Sequence, residues 1–107
     1  MQQIKLKTGA VTVVLAGELD QCTASQIRRQ LDDILEDPGV TNLCLDLENL
    51  TFMDSSGIGV LLGRLRILQQ RGGRLSVKNM QLPIEKLFRL TGLQRVIDVE
   101  NSRKGGR

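Results

Sequence analysis

The sequence predicts an α/β domain built on a mixed sheet of four to five strands. Three observations predict it. Short apolar runs alternate with stretches of helical apolar spacing, a strand pair comes before the first helical stretch, and Gly or Pro marks most junctions.

Ile4 and Leu6 alternate with lysines, Thr8-Gly9 offers a turn, and Val11, Val13 and Leu15 line one face of the next run. That pattern predicts a strand pair, which Gly17-Glu18-Leu19-Asp20 is expected to end. The first helix opens with Thr23 and Gln26 at the spacing of a capping box. Ile27, Leu31, Ile34 and Leu35 give it one apolar stripe, and Pro38-Gly39 stops it. Val40 to Leu47 reads as a central strand packed on both sides, with Leu43, Leu45 and Leu47 on one face and Cys44 on the other. Glu48 to Asp54 is expected to be a connection.

The second helix is predicted from about Ser56 to Arg71, with Ile58, Leu61, Leu62, Leu65 and Leu68 buried and Gly72-Gly73 as its stop. Leu75-Ser76-Val77 is a further short strand. Pro83 suits the first turn of a third helix that buries Ile84, Leu87 and Phe88 and ends at Thr91-Gly92. Val96 to Val99 adds a last short strand. Helices between strands favour parallel pairing with right-handed crossovers. The 107 residues suit one domain, over about residues 1–100, followed by a basic tail at 101–107 that is expected to be disordered.

Composition narrows the chemistry. The net charge is +3, and Arg103, Lys104 and Arg107 of the tail account for as much, which leaves a near-neutral body. Direct nucleic-acid binding through a basic face is therefore not expected. The absence of histidine removes Ser-His-Asp and Cys-His catalysis and histidine-metal sites together. Cys22 and Cys44 lack metal-ligand spacing and are expected to be buried or half-buried free thiols. No apolar run approaches the roughly 18 residues of a membrane-spanning helix, and the N-terminus lacks a signal-peptide pattern. The chain is thus expected in the cytoplasm, with no membrane partner, no cofactor, no metal and no catalytic residue.

The densest segment is Phe52-Met53-Asp54-Ser55-Ser56-Gly57-Ile58-Gly59. It lies where a strand-end connection enters a helix, a usual position for ligand sites in open α/β sheets. Asp and Ser there are ordinary N-cap residues, and Gly57, Gly59 and Gly63 would let the helix lie close to the sheet. The run matches neither Gly-x-Gly-x-x-Gly, its third glycine falling one residue late, nor a phosphate-cradling loop, which requires Gly-Lys-Ser/Thr. Three glycines in a helix that would favour alanine cost roughly 1 kcal/mol each, so close approach by the sheet or by a partner is expected. Between Ser55 and Ser56 the local physics does not choose.

The run from Leu50 to Arg64 resembles the signature of the anti-sigma factor antagonists, and most of all their sporulation branch. Gly17-Glu18-Leu19-Asp20 with Thr23-Ala24, and Leu87-Phe88 with Gly92-Leu93, fall where that family has similar residues. The resemblance covers about residues 3 to 99 and departs at Gln21-Cys22, where sporulation members have two histidines. It implies a STAS fold and a partner-switching role. Such antagonists bind an anti-sigma factor that is also a nucleotide-bound serine kinase and displace the captured sigma factor. The kinase phosphorylates them and a serine phosphatase reverses it. The modified residue is the first serine of the motif, here Ser55. Carried over position by position, Asp20, Asp54, Ser55, Ser56, Gly57, Ile58 and Leu87 form or border the partner-facing surface.

From the residues alone, Ile58 and Leu87 are ordinary core candidates, Asp20 is a loop acid, and Arg64, Arg66 and Arg71 read as a solvated helix face. The alternative function is a STAS scaffold in another partner-switching or transporter-associated complex.

Overall fold

The computed structural model describes residues 2–7 and 9–100, with side chains from residue 9 onward. The basic tail 101–107 and the side chains of Ile4 and Leu6 lie outside the described residues. Strands β1 (Gln2–Lys7) and β2 (Ala10–Leu19) form the expected antiparallel pair. Helix α1 (Ala24–Leu35), strand β3 (Asn42–Met53), helix α2 (Ser55–Gln70), strand β4 (Arg74–Lys78), helix α3 (Leu82–Thr91) and strand β5 (Asp98–Glu100) follow. A short 3₁₀ turn, Leu93–Arg95, joins α3 to β5.

The five strands lie side by side in sequence order, with β2 to β5 parallel and β1 antiparallel at one edge. Every parallel crossover therefore steps the same way across the sheet. Right-handed crossovers that step in one direction put all their helices on the same face. This corrects the expectation that β3 is covered on both sides. Leu43, Leu45 and Leu47 are buried under the helices, whereas Cys44 and Asp46 on the other face are half-buried and Asn42 is exposed.

Both long strands outrun their sequence signals. β2 continues through Gly17 and Glu18 to Leu19, and β3 continues through Glu48 to Met53, where a connection was expected. The pairing register explains the misreading. Val14 faces Asp46 but Ala16 faces Asn49, and Gly17 faces Leu50 but Glu18 faces Phe52. At each place β3 holds one extra residue, a bulge that moves the following side chains to the opposite face. Leu47, Leu50 and Met53 are thus all buried at a spacing of three, which no longer alternates. The side chains of neighbouring residues hold the irregular stretch. Thr51 Oγ1 donates to Gly17 O at 3.0 Å, and Gln81 Nε2 donates to Glu48 O at 2.7 Å.

The helices differ from expectation in detail. In α1, Leu31 and Leu35 are buried and Ile27 and Ile34 pack against the core, as the stripe predicts. The capping box does not form, because Thr23 turns its hydroxyl to Glu18 O and makes no cap bond. In α2, Leu61, Leu65 and Leu68 are buried, but Leu62 is exposed, and Val60 and Arg64 are buried instead. In α3, Ile84 and Phe88 are buried, Leu87 is half-buried, and left-handed Gly92 ends the helix.

Arg71 is not on a solvated face either. Its guanidinium donates to the carbonyls of Leu35, Asp37 and Val40, joining the exit of α2 to the last turn of α1 and the approach to β3. The last carbonyls of a helix have no intrahelical donor, and a cation there is favourable. Cys22 is exposed, contrary to expectation, and Cys44 is half-buried, with burial pushing its thiol above the ordinary value. Neither is in a disulfide.

Candidate functional site

The parallel pairing of β2 with β3 sets Leu19 opposite Met53, so both strands end at one level of the sheet. The residues immediately after them, Asp20 and Asp54, are therefore neighbours. Asp54 N donates to Leu19 O at 3.3 Å, which stitches the two exits together. The arrangement lies at the carboxyl ends of parallel strands, the common place for sites in α/β sheets.

Asp54 is the N-cap of α2. Its backbone is extended, and Oδ1 accepts from Ser56 N at 2.9 Å and Gly57 N at 3.3 Å. Two of the helix's orphan donors are satisfied this way. Asp54→Ala should cost about 0.5–2 kcal/mol of stability in a denaturant melt. A neutral result would show that water replaces the cap without penalty.

Ser55 follows as the first residue of α2 and is exposed. Its hydroxyl makes no hydrogen bond among the described residues. Ser56 is half-buried, and Gly57 is buried against the sheet. A Cβ on Gly57 would fall 2.6 Å from Met53 Cγ, 2.8 Å from Leu19 Cγ and 2.9 Å from Leu19 O. Gly57 is thus needed by the fold itself. A Cβ on Gly59 or Gly63 would meet nothing within 4 Å, so close packing on the sheet accounts for one glycine of the three.

Asp20 organises the turn between β2 and α1. Its Oδ1 accepts from Cys22 N at 2.9 Å and Thr23 N at 3.0 Å, and its own N–H donates to Thr23 Oγ1 at 3.0 Å. The bond from Thr23 N, more than any other influence, holds its carboxyl below the ordinary value of 3.8. A carboxylate with a depressed folded pKa stabilises the fold above its unfolded pKa, and loses that contribution as pH falls through the folded value. The Tm difference between the wild-type chain and Asp20→Asn should therefore shrink as pH is lowered from about 6 to about 2.5. A difference constant with pH would show that the turn does not depend on the charged form.

Ile58 is half-buried one turn into α2, and Leu87 is half-buried on α3. Leu87 borders a shallow apolar cleft of about 210 Å³ with Phe52, Met53, Pro83, Ile84 and Leu90. Phe52 and Leu90 are strongly exposed, at 47% and 76%. The fold thus brings Asp20, Asp54, Ser55 and Ser56 to one strand-end surface, with Gly57 buried beneath it, contrary to its expected place on a partner face, and with Leu87 beside the last residues of β3. Phe52 opens the segment singled out from sequence, but its exposure was not foreseen, and Leu90 was not singled out at all. The bulge that turns Phe52 outward leaves no periodic signal, and Leu90 lies within an otherwise ordinary amphipathic helix. Among the described residues there is no cluster of metal-binding side chains, and no helix is long and apolar enough to cross a membrane.

The STAS domain family matches residues 2–105. The chain belongs to that family. This STAS domain is 37% identical over 91 residues to the anti-sigma F factor antagonist of Paenibacillus polymyxa, which covers 85% of this chain and 78% of that protein. It is 31% identical over 103 residues to the anti-sigma-B factor antagonist of Bacillus subtilis, covering 96% of this chain and 93% of that one. Among solved structures it resembles the Bacillus cell fate determinant SpoIIAA in the phosphorylated form. There the TM-score is 0.74 and the identity 31%, over 98% of this chain and 93% of that one. The fold of this STAS domain, four parallel strands with three helices and an antiparallel edge strand, is thus that of anti-sigma factor antagonists.

Proposed function

We propose that this STAS domain is a cytoplasmic anti-sigma factor antagonist. It binds an anti-sigma factor that is also a nucleotide-bound serine kinase, frees the captured sigma factor, and is switched off by phosphorylation of Ser55. A serine phosphatase restores it, and the domain itself catalyses nothing. The carrying observation is the exposed Ser55 hydroxyl at the start of α2, which makes no hydrogen bond among the described residues. A kinase must reach that oxygen directly. Ser56, one residue on, is half covered and offers a poorer acceptor. Likeness to antagonists of both the F and B type, and to one solved in a phosphorylated form, supports the same reading.

Asp20, Asp54, Ser55, Ser56, Ile58 and Leu87 form the partner surface in this reading, with Gly57 buried beneath it, and exposed Phe52 and Leu90 extend it. Acidic and apolar groups side by side suit a partner face that is both basic and apolar. The test mixes the chain with kinase-type anti-sigma factors of the same genome, first with ADP and then with ATP. Complex formation with ADP is expected. ATP should then place one phosphate on Ser55, located by fragment mass spectrometry and abolished by Ser55→Ala. Phosphate on Ser56, or binding to none of these partners, would overturn the assignment.

A further inference from the structure

All three helices lie on one face of the sheet, and no described helix or strand covers the other. Parallel strands usually have both faces covered, so a bare face across β2 to β5 calls for a cover from outside. The pairing register fixes which residues stand there. Thr12, Cys44, Ser76 and Asp98 form one row across the four strands. Val14, Asp46, Lys78 and Glu100 form the next row, and Asn42 and Arg74 flank the first row on its other side. The middle row is recessed, since Thr12 and Ser76 are only 5% and 6% exposed although no helix lies over them.

Thr12, Cys44 and Ser76 thus floor a trough of about 400 Å³, and its rim is charged. The rim is also held in place. Arg74 Nε donates to Asp98 Oδ2 at 2.8 Å, Ser76 Oγ donates to Glu100 Oε2 at 2.9 Å, and Asn79 Nδ2 donates to Asp46 Oδ1 at 3.2 Å. Side chains fixed beforehand lose little freedom when a surface docks on them. Lys78 is the exception, with no hydrogen bond or ion pair among the described residues. The pattern is complementary to itself. Consider a second copy turned about a two-fold axis that runs along the strands, above the gap between β3 and β4. Lys78 of each copy then meets Asp46 of the other, Ser76 meets Cys44, Arg74 meets Asn42, and Asp98 meets Thr12. Glu100 meets Val14, so no like charges are opposed. A symmetric interface requires this reciprocity.

We propose that the bare sheet face docks on the same face of a second copy, forming a weak homodimer. The two Lys78–Asp46 pairs fix its register, and the trough floors close over one another. Strand spacing and rise give the face about 15–20 Å each way, or about 300–400 Å² a copy, against about 800 Å² per partner in a standard interface. The pair is therefore transient, with a Kd of about 50 µM to 1 mM. An axis along the strands preserves their direction, so both strand-end surfaces lie at the same end of the pair. Neither surface is covered by the contact, and the pairing does not depend on the function proposed above.

The test is sedimentation equilibrium of the full chain from about 10 µM to about 1 mM, a range that brackets the expected Kd. Reductant is kept present, because Cys22 is exposed and could cross-link copies. A monomer–dimer equilibrium is expected, with concentration-dependent NMR shifts at the amides of Thr12, Cys44 and Ser76 and none at Ser55. Lys78→Glu and Asp46→Lys should each weaken the dimer at least fivefold, and the double variant should return to within about threefold of the wild-type chain, since it restores both pairs with their signs exchanged. General damage to the fold would not be repaired by a second substitution. If either single variant does not fold, the shift map of the wild-type chain still decides. A monomer at every concentration would overturn the pairing and leave the basic tail or a foreign partner as the cover. Shifts confined to the helix face, or a dimer indifferent to both charge reversals, would overturn it as well.

Discussion

Replacing Gly57 by alanine should destabilise the domain by about 1–3 kcal/mol, although alanine favours a helix by up to about 1 kcal/mol. The added methyl would lie 2.6–2.9 Å from Met53 Cγ, Leu19 Cγ and Leu19 O. Met53 has a flexible side chain, but Leu19 is fully buried, and its carbonyl already accepts from Asp54 N. Relief therefore requires α2 to shift away from the sheet. Gly59→Ala is the matched control, since its methyl meets nothing and should gain about 0.5–1 kcal/mol from helix propensity. Urea melts of the two variants should move in opposite directions. If both moved the same way, close approach of α2 to the β2 exit would not be the constraint described here. The shift at Gly57 would also carry Ser55 out of position, so that variant should bind the partner poorly even where it remains folded.

Under the proposed function, the second large effect is that of phosphorylating Ser55. Phosphoserine at position 55 brings about −1.5 to −2 charges near pH 7. The N-terminus of α2 favours negative charge by roughly 0.3–1 kcal/mol. The carboxylate of Asp54, however, already takes the N–H groups of Ser56 and Gly57 and repels a second anion beside it. At an exposed, salt-screened site the two effects are of similar size, so the stability of the domain should change by less than about 1 kcal/mol. A partner packed over Ser55, as the proposed function requires, would meet a different situation. Burying a hydrated dianion without a new cation costs several kcal/mol. Binding to the ADP-bound kinase should thus fall at least tenfold, which is about 1.4 kcal/mol or more. Ser55→Asp should reproduce only part of the loss, having less charge and fewer oxygens. Denaturant melts and titrations of both forms make the comparison. A partly unfolded phosphoprotein, or one that binds as tightly as before, would contradict a blocked interface.

How legible each element was followed from how local its cause is. The caps of α2 and α3 depend on a few adjacent residues, and Asp54, Gly72-Gly73, Pro83 and Gly92 all act where the sequence puts them. The stripe of α1 was legible for the same reason. The second half of β3 was not, because its bulges exist only against β2, and alternation is lost where a neighbouring strand dictates the register. Leu62 and Arg64 exchanged their expected positions because α2 packs against α1 as well as the sheet, and that second contact sets which face is inside. Arg71 looked solvated because the carbonyls it serves are more than thirty residues away in the chain.

For the candidate site, the order Phe52 to Gly59 determined on its own that a capped helix begins there with two serines at its entrance. The sequence also determined the class of fold, since the alternation of strand and helix periods requires crossovers. Three things were decided by the tertiary structure alone. The helices all lie on one face, because each crossover steps the same way across the sheet. Asp20 and Asp54 are neighbours, because β2 and β3 end in register. Ser55 is exposed while Ser56, one residue on, is half-buried. Each of these is a relation between segments distant in the chain, and the forces that set it, strand pairing and helix packing, act across space and leave no local pattern to read.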